Sequence, residues 1–358
     1  MEKTIRLLAA VLGVQLVLVL GLSFTGTRLS APAAESPLLG FDAGSVDRLS
    51  IEGPEAAKVT LTRADGGWRL PEAADFPADR ERIEQLLQRL TELRGGTPVA
   101  TTPGAQQRFR VSDADFERRI TLGTGDKALA TLYLGTAPGP RRINARAAPS
   151  ETILAVELGA HEFPLRIDDW IDRTLLRVPR DELVALDVAG LHLERVPDPT
   201  PTAADANATV VEENQTAGAP RTHWQAAGLA AGESLNAAAA DSLADKLAEL
   251  RISALLGSEE KVEYGLDEPV LNLQITRKGG TPVEYRLGKA PQGDEYTVKV
   301  SSRAEYLRLP VYSAEQLLKA ARRESLVAAP ATHDVDTAGQ AAPPATGEPA
   351  AAEPGIEP

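Results

Sequence analysis

The sequence predicts an α+β fold: two tandem copies of a mostly antiparallel sheet faced by helices, preceded by one transmembrane helix. The observations are an uncharged apolar run near the N-terminus, two long segments that match each other, and alternating runs separated by helical patterns. Blocks of consecutive strands with helices between them are typical of this class. The expected units are an anchor at residues 1–30, repeats at 45–180 and 183–327, and a tail at 328–358.

Composition is that of a chain that folds around cores. Of 358 residues, 43% are hydrophobic and 25% are charged, and the length suits two domains. The absence of cysteine excludes disulfides and Cys-type zinc sites. Of the net charge of −13, residues 197–220 carry −4 and residues 328–358 carry −5, which leaves −4 for the rest. We therefore expect no nucleic-acid partner bound through a basic face.

The N-terminal run Leu7–Phe24 predicts a membrane anchor. As a helix, this uncharged run spans about 27 Å, close to the ~30 Å bilayer core. Lys3 and Arg6 precede it and only Arg28 follows closely, which favours a cytoplasmic N-terminus. A signal peptide cleaved near Ala31–Ala33 is the alternative, but its apolar region would usually be ~7–15 residues. Both interpretations place the remainder outside the cytoplasm; the first predicts a single-pass inner-membrane protein with a periplasmic bulk.

The remainder of the chain matches itself in five places, always in the same order. The offset drifts from 251 − 94 = 157 to 307 − 154 = 153 along the chain. Such a series indicates a duplicated module. The matched pairs are Trp68 with Trp224, Leu86–Arg94 with Leu243–Arg251, Arg119–Thr121 with Gln274–Thr276, Leu134–Pro138 with Leu287–Pro291, and Ile153–Leu154 with Tyr306–Leu307.

The first repeat begins as a hairpin followed by an amphipathic helix. Val46–Ile51 and Lys58–Thr62 alternate apolar and polar residues, as half-buried strands do. The turn Ala64–Gly67 leads into Trp68. Asp79 is the predicted N-cap of the helix, and Gly95–Gly96 its stop. The apolar face of that helix comprises Ile83, Leu86, Leu87, Leu90 and Leu93.

Four more strands and a closing helix complete this repeat. The strands are expected at Phe116–Leu122, Ala128–Leu134, Arg141–Ala147 and Ile153–Val156, and the helix at Leu165–Leu176 with Trp170 on it. In the second repeat the tight turn is replaced by the Pro-, Thr- and Ala-rich residues 197–220. We expect a flexible loop there and a disordered tail at 328–358.

The residues that carry chemistry form no recognisable active site. The histidines have no metal-type spacing, and His192 and His223 are expected on a strand face and a sheet edge. Asp168–Asp169 and the pair Asp113 and Asp115 are the best carboxylate clusters, but the first is expected to open the closing helix, where carboxylates favour the dipole. We predict no catalytic, cofactor-binding or metal-binding residue. The other two histidines are His161 and His333.

The combined pattern resembles a bacterial family of unknown function catalogued as 4340. It rests on the anchor, Trp68, Ala78–Asp79 before the leucine-rich helix, and Leu134–Gly135, all within a duplicated chain. Tyr264–Pro269 also fits the Gly-Leu-x-x-Pro stretch of the family, whereas Phe109–Ala114 departs from it. The resemblance implies a periplasmic accessory role at an ABC transporter of the gliding-motility type, and it carries no catalytic residues.

Three functional hypotheses follow. The first is a non-catalytic accessory or scaffold protein at the inner membrane, with ABC-transporter subunits as the partner implied by the resemblance. The second is a periplasmic module that binds an envelope glycan or peptide in a cleft between the repeats. The third is a hydrolase with an unrecognised site, which loss of activity on substituting Asp168 or Asp169 would support.

Overall fold

The computed structural model describes residues 37–95, 97–198 and 222–328, together with Gln15. More residues of this part of the chain are in strands than in helices. The strands are β1 Arg48–Glu52, β2 Lys58–Ala64, β3 Gly67–Leu70, β4 Phe76–Pro77, β5 Thr97–Ala100, β6 Arg118–Thr124, β7 Lys127–Leu134, β8 Ile143–Ala147, β9 Ile153–Val156, β10 Leu183–Val188, β11 Leu191–Pro197, β12 Thr222–Ala227, β13 Ser234–Leu235, β14 Ala254–Gly257, β15 Leu271–Arg277, β16 Val283–Lys289, β17 Tyr296–Val300, β18 Tyr306–Leu309 and β19 Val327–Ala328. The helices are α1 Arg80–Glu92, α2 Pro103–Arg108, α3 Ala237–Ala248, α4 Val311–Ala320 and α5 Arg323–Leu326.

The strands form two large antiparallel sheets. The first has nine strands in the order β4-β3-β2-β1-β6-β7-β8-β9-β5, and the second has eight in the order β12-β11-β10-β15-β16-β17-β18-β14. When β1 is matched with β10, β2 with β11 and so on along the chain, the eight strands of the second sheet follow the same order as their counterparts in the first. The difference lies at one edge, where β4 pairs with β3 but β13 pairs with β19 instead of β12. The prediction of mostly antiparallel sheets with a few helices is confirmed.

One apolar core runs through both halves. Residues as far apart as Leu61 and Leu307 belong to it, and both are fully buried. The halves also join through backbone hydrogen bonds, from Val178 N to Leu247 O (3.1 Å) and from Ile252 N to Arg173 O (3.0 Å). These contacts tie the segment after the first sheet to α3 and its C-terminal connection.

The early elements follow the local sequence pattern. Asp65 and Gly66 take positive φ values of 50° and 77° in the β2–β3 turn, as this type of hairpin requires. The Asp79 carboxylate accepts a hydrogen bond from Arg82 N at 3.0 Å, which makes it the predicted N-cap of α1. All five predicted apolar-face residues of α1 are buried. The helix ends at Glu92, before the predicted Gly95–Gly96 stop.

The predicted closing helix at Leu165–Leu176 is wrong. Only a 3₁₀ turn forms there, at Ile167–Asp169. Trp170 O accepts from Asp79 N (2.7 Å), and Asp172 N donates to Pro77 O (2.9 Å), around a bridge between Ala78 and Ile171. Because these backbone groups bond to a distant segment, they are not available for i→i+4 bonds of a helix.

Three sequence predictions fall on residues that the structure does not describe. The anchor Leu7–Phe24 does so except for Gln15, as do most of the loop 197–220 and nearly all of the tail 328–358. Within the described ranges, no helix is long and apolar enough to cross a membrane.

Candidate functional site

The predicted carboxylates Asp113 and Asp115 lie in a loop packed on the first sheet. Arg146 of β8 reaches under this loop with a side chain only 6% exposed. Its Nε donates to Val111 O at 2.7 Å, one Nη donates to the Asp113 carboxylate, and its guanidinium lies 4.3 Å from the Tyr133 ring centre. Because Tyr133 stands between Leu132 and Leu134, which belong to the main core, this cluster occupies the other face of the sheet.

The electrostatics of this cluster do not favour acid–base chemistry near neutral pH. The hydrogen bond from Arg146 holds the pKa of Asp113 below its usual value. Burial raises the pKa of Tyr133 above its usual value. The carboxyl group is therefore ionised and the phenol protonated, and neither group is poised to exchange a proton. The cluster instead holds the loop in place.

The second sheet secures its corresponding loop with a different arginine. Tyr133 faces Arg146 across β7 and β8, and Arg286 faces Lys299 across β16 and β17. The guanidinium of Arg286 donates to Leu266 O at 2.5 Å, as Arg146 does to Val111 O. A carbonyl oxygen of the loop is thus bound by an arginine of β8 in the first sheet and by an arginine of β16 in the second. This difference indicates that the arginines hold the loop in place and do not form a chemical site repeated in both halves.

The other carboxylate cluster lies where the halves meet. Asp168 Oδ1 accepts from Leu255 N of the edge strand β14 at 3.1 Å, across from the pairing of Leu255 with Leu307. The corresponding edge position of the first sheet is Pro98, which pairs with Leu154 and has no N–H. Each sheet edge is therefore closed to further strand pairing at this point, by a carboxylate or by proline.

Substituting Asp168 by alanine is expected to lower the free energy of unfolding by about 1–2 kcal/mol, because it leaves Leu255 N–H without its partner. Asp169→Ala is the matched control. Its carboxylate is 3.9 Å from Arg173 and partly exposed, so about 0.5 kcal/mol or less is expected. Urea unfolding of the full chain, followed by tryptophan fluorescence, measures both. Equal losses in the two variants would contradict the edge role of Asp168.

The histidines lie at surface positions or near the chain connections. His192 Nδ1 is 2.7 Å from Asp187 Oδ1, and His223 Nδ1 is 2.8 Å from Asp198 Oδ1, with both rings about half exposed. The predicted places of these two, on a strand face and a sheet edge, are confirmed. His333 lies outside the described residues. Within the described ranges, no group of three or more His, Cys, Asp or Glu residues is arranged to hold a metal ion.

The family model described as domain of unknown function DUF4340 matches residues 68–269, more than half of the 358-residue chain. The chain belongs to this family. The matched span begins at Trp68 and ends at Pro269, the last residue of the Gly-Leu-x-x-Pro stretch. The DUF4340 chain matches none of the curated proteins and none of the solved structures.

The stretch that departs from the DUF4340 pattern keeps the same backbone. Gly265 takes a φ of 64°, and Arg110, at the corresponding place in the first half, takes 55°. This left-handed conformation is unfavourable for arginine. Arg110 forms ion pairs with Asp115 and Glu117, which help to hold it there. The two halves therefore have different residues at this position but the same left-handed backbone conformation.

An arginine–tryptophan pair occurs in both halves of the DUF4340 chain and is not apparent from the sequence. Arg63 lies 5.0 Å from the Trp68 ring centre, and Arg195 lies 4.9 Å from the Trp224 ring centre. In both halves the arginine is the direct cross-strand partner of the tryptophan. Only the strand register reveals the pair, because the intervening connection differs greatly in length between the halves.

Among the surface pockets formed by the described residues, three lie beside loops or turns of the sheets, and each of these is lined by residues of one half. A pocket of about 440 Å³ lies beside the loop after β7, and one of about 540 Å³ lies beside the matching loop after β16. A larger groove of about 1110 Å³ lies between the β10–β11 turn and the start of α5. All three are of the size that small ligands occupy, or slightly larger.

Proposed function

We propose that this DUF4340 chain is a non-catalytic accessory protein, anchored in the inner membrane, whose two extracytoplasmic modules form a binding platform for subunits of an ABC-type transport system. The partner comes from the family resemblance, and the location comes from the apolar run Leu7–Phe24. The shared strand order of the two sheets supports the further proposal that the modules, residues 45–180 and 183–327, are tandem copies.

The observation that carries the platform proposal is the continuous core beneath two sheets of the same strand order. Such a body presents its loops at fixed relative positions, which lowers the entropic cost of binding a protein partner. The buried Arg146 and the partly buried Arg286 support the same proposal, because both donate hydrogen bonds that fix loops.

A ligand-binding module for an envelope glycan or peptide is the second candidate. The pockets beside the loops after β7 and β16 favour it. One pocket lies within the first half and the other within the second, so this candidate would use the repeated loops rather than a cleft between the modules.

Cross-linking in native membranes tests the accessory proposal. Full-length tagged protein is cross-linked, extracted in mild detergent and purified, and we expect ABC-transporter subunits to co-purify. Exchanging Leu7–Phe24 for a cleavable signal should abolish their recovery. Exchanging it for an unrelated transmembrane helix is the matched control, and it separates simple tethering from direct contact by the anchor. Recovery of the protein alone would count against the proposal.

A further inference from the structure

The pocket of about 440 Å³ in the first half has a distinctive set of polar groups. The loop after β7 borders it on one side, and the connection that follows β9 borders it on the other. Arg141, Arg142 and His161 line it, and Glu117 is the single carboxylate among the described lining residues. Because Glu117 is paired with Arg110, its charge is already compensated. The lining therefore contains more basic than acidic side chains.

Three further contacts hold side chains that can donate hydrogen bonds at this pocket. Thr136 Oγ1 accepts from Asn144 Nδ2 at 3.0 Å, so the hydroxyl proton of Thr136 is available to donate. The His161 ring lies directly against the backbone of Gly159, where any side chain would overlap it. Arg142 also donates to Ala155 O at 3.2 Å, which fixes its guanidinium at the pocket.

Arg141 stands out among these groups. It has a left-handed φ of 59°, a conformation that costs a non-glycine residue free energy. Among the residues that the structure describes, it has no ion-pair partner. Strained backbone conformations cluster at ligand-binding and other functional sites, and here the strained residue places a cation at the pocket.

The second half provides an internal comparison, because its matching loop has the opposite charges. The register places Leu134 opposite Ala145 and Leu287 opposite Val298, an offset of 153, so Asp294 and Glu295 stand where Arg141 and Arg142 do. Each acid has a basic partner: Asp294 is 3.1 Å from Lys289, and Glu295 is 2.9 Å from Arg308. The two pockets share a place in the fold, but the loop beside the first is basic and the loop beside the second is acidic at these two positions.

We infer that the first-half pocket, lined by Thr136, Arg141, Arg142 and His161, binds a phosphate group. A guanidinium group can donate two parallel N–H hydrogen bonds to phosphate oxygens, and the Thr136 hydroxyl and the His161 imidazole supply further donors. The phosphate could belong to a soluble ester or to a lipid headgroup, and the same donors serve both. This site is additional to the accessory role proposed above and does not depend on it.

Calorimetric titration of the full-length protein in a neutral detergent tests the inference. The probes are glycerol 3-phosphate and, separately, short-chain phosphatidylglycerol. Phosphatidylcholine of the same chain length is the reference of zero net charge, because its phosphate is balanced by a quaternary ammonium group. We expect saturable binding of at least one phosphate probe, weakened about tenfold by Arg141→Gln through loss of a charged hydrogen bond. Binding of glycerol 3-phosphate would indicate a soluble ester, and binding of phosphatidylglycerol alone would indicate a headgroup.

Two matched variants separate the site from general charge effects. Gly159→Ala keeps every charge but displaces the His161 ring, so it should also weaken binding. Asp294→Asn raises the net charge in the second half and should leave binding unchanged. Unaltered thermal unfolding of each variant, followed by tryptophan fluorescence, establishes that it is folded. The inference is wrong if neither probe binds saturably, or if Arg141→Gln binds as tightly as the parent chain.

Discussion

Replacing Gly135 by alanine is expected to lower the free energy of unfolding by about 3 kcal/mol or more. A Cβ at this position would overlap the carbonyl oxygen of Phe109 and come within 2.5 Å of that of Arg110. Backbone atoms cannot rotate away as a flexible side chain can. The hydrogen bond from Thr136 N to Phe109 O (2.9 Å) would have to lengthen, and the loop that Arg146 holds would move with it.

Urea unfolding of the full chain measures this effect, since Trp68, Trp170 and Trp224 are all buried and report on the fold. Gly139→Ala is the matched control in the same loop, because a Cβ there would meet no atom within 4 Å. Gly288, which faces Tyr264 and Gly265 in the second half, should respond to alanine as Gly135 does. Equal unfolding midpoints for Gly135→Ala and Gly139→Ala would refute the close-approach explanation.

Arg146→Met is expected to destabilise the protein by about 2–3 kcal/mol. The methionine fills much of the same volume but leaves Val111 O without its donor, and an unpaired buried carbonyl is costly. It also removes the cation that stacks on Tyr133. Chemical denaturation of the variant and the parent chain at neutral pH measures the difference.

The Asp113→Asn variant distinguishes the contribution of the Arg146–Asp113 ion pair to stability from that of the hydrogen bond between Arg146 and Val111 O. The Asp113 side chain is 80% exposed, so its ion pair should contribute less than about 1 kcal/mol. Because pairing lowers the pKa of Asp113, this contribution is present above the usual carboxyl pKa and is lost as the pH falls through the lowered value. A loss in Asp113→Asn as large as that in Arg146→Met would show that the ion pair, and not the bond to Val111, stabilises the loop.

The candidate site was only partly accessible from the sequence. Asp113 and Asp168 were identified as carboxylates of interest, but their partners, Arg146 and Leu255 N–H, are remote in sequence. The repeated Leu-Gly-x-Ala-Pro loop was recognised as a match between the halves. The opposite charges of the two loops are not apparent from the sequence, because Arg141 and Asp294 lie beyond the matched residues and correspond only through the strand register.

Elements with local causes can be predicted from the sequence. Alternation predicted β1 and β2, Asp65 and Gly66 predicted their hairpin with β3, and the spacing of leucines with Asp79 predicted α1 and its cap. The family can also be recognised from the sequence, since Trp68 and the repeated motifs are sequence patterns. In each case the residues that decide the structure lie within a few positions of one another.

Features that depend on distant partners are set by tertiary contacts. The segment at Leu165–Leu176 is not a helix, because its backbone bonds to Pro77 and Asp79. The short strand β5 and helices α2 and α4 were not predicted, since β5 exists through pairing with β9 and α4 through packing on α3. The intrinsic helix or strand propensity of a segment is weak compared with such contacts. The secondary structure of these segments is therefore determined by the remote backbone and side-chain groups that they contact.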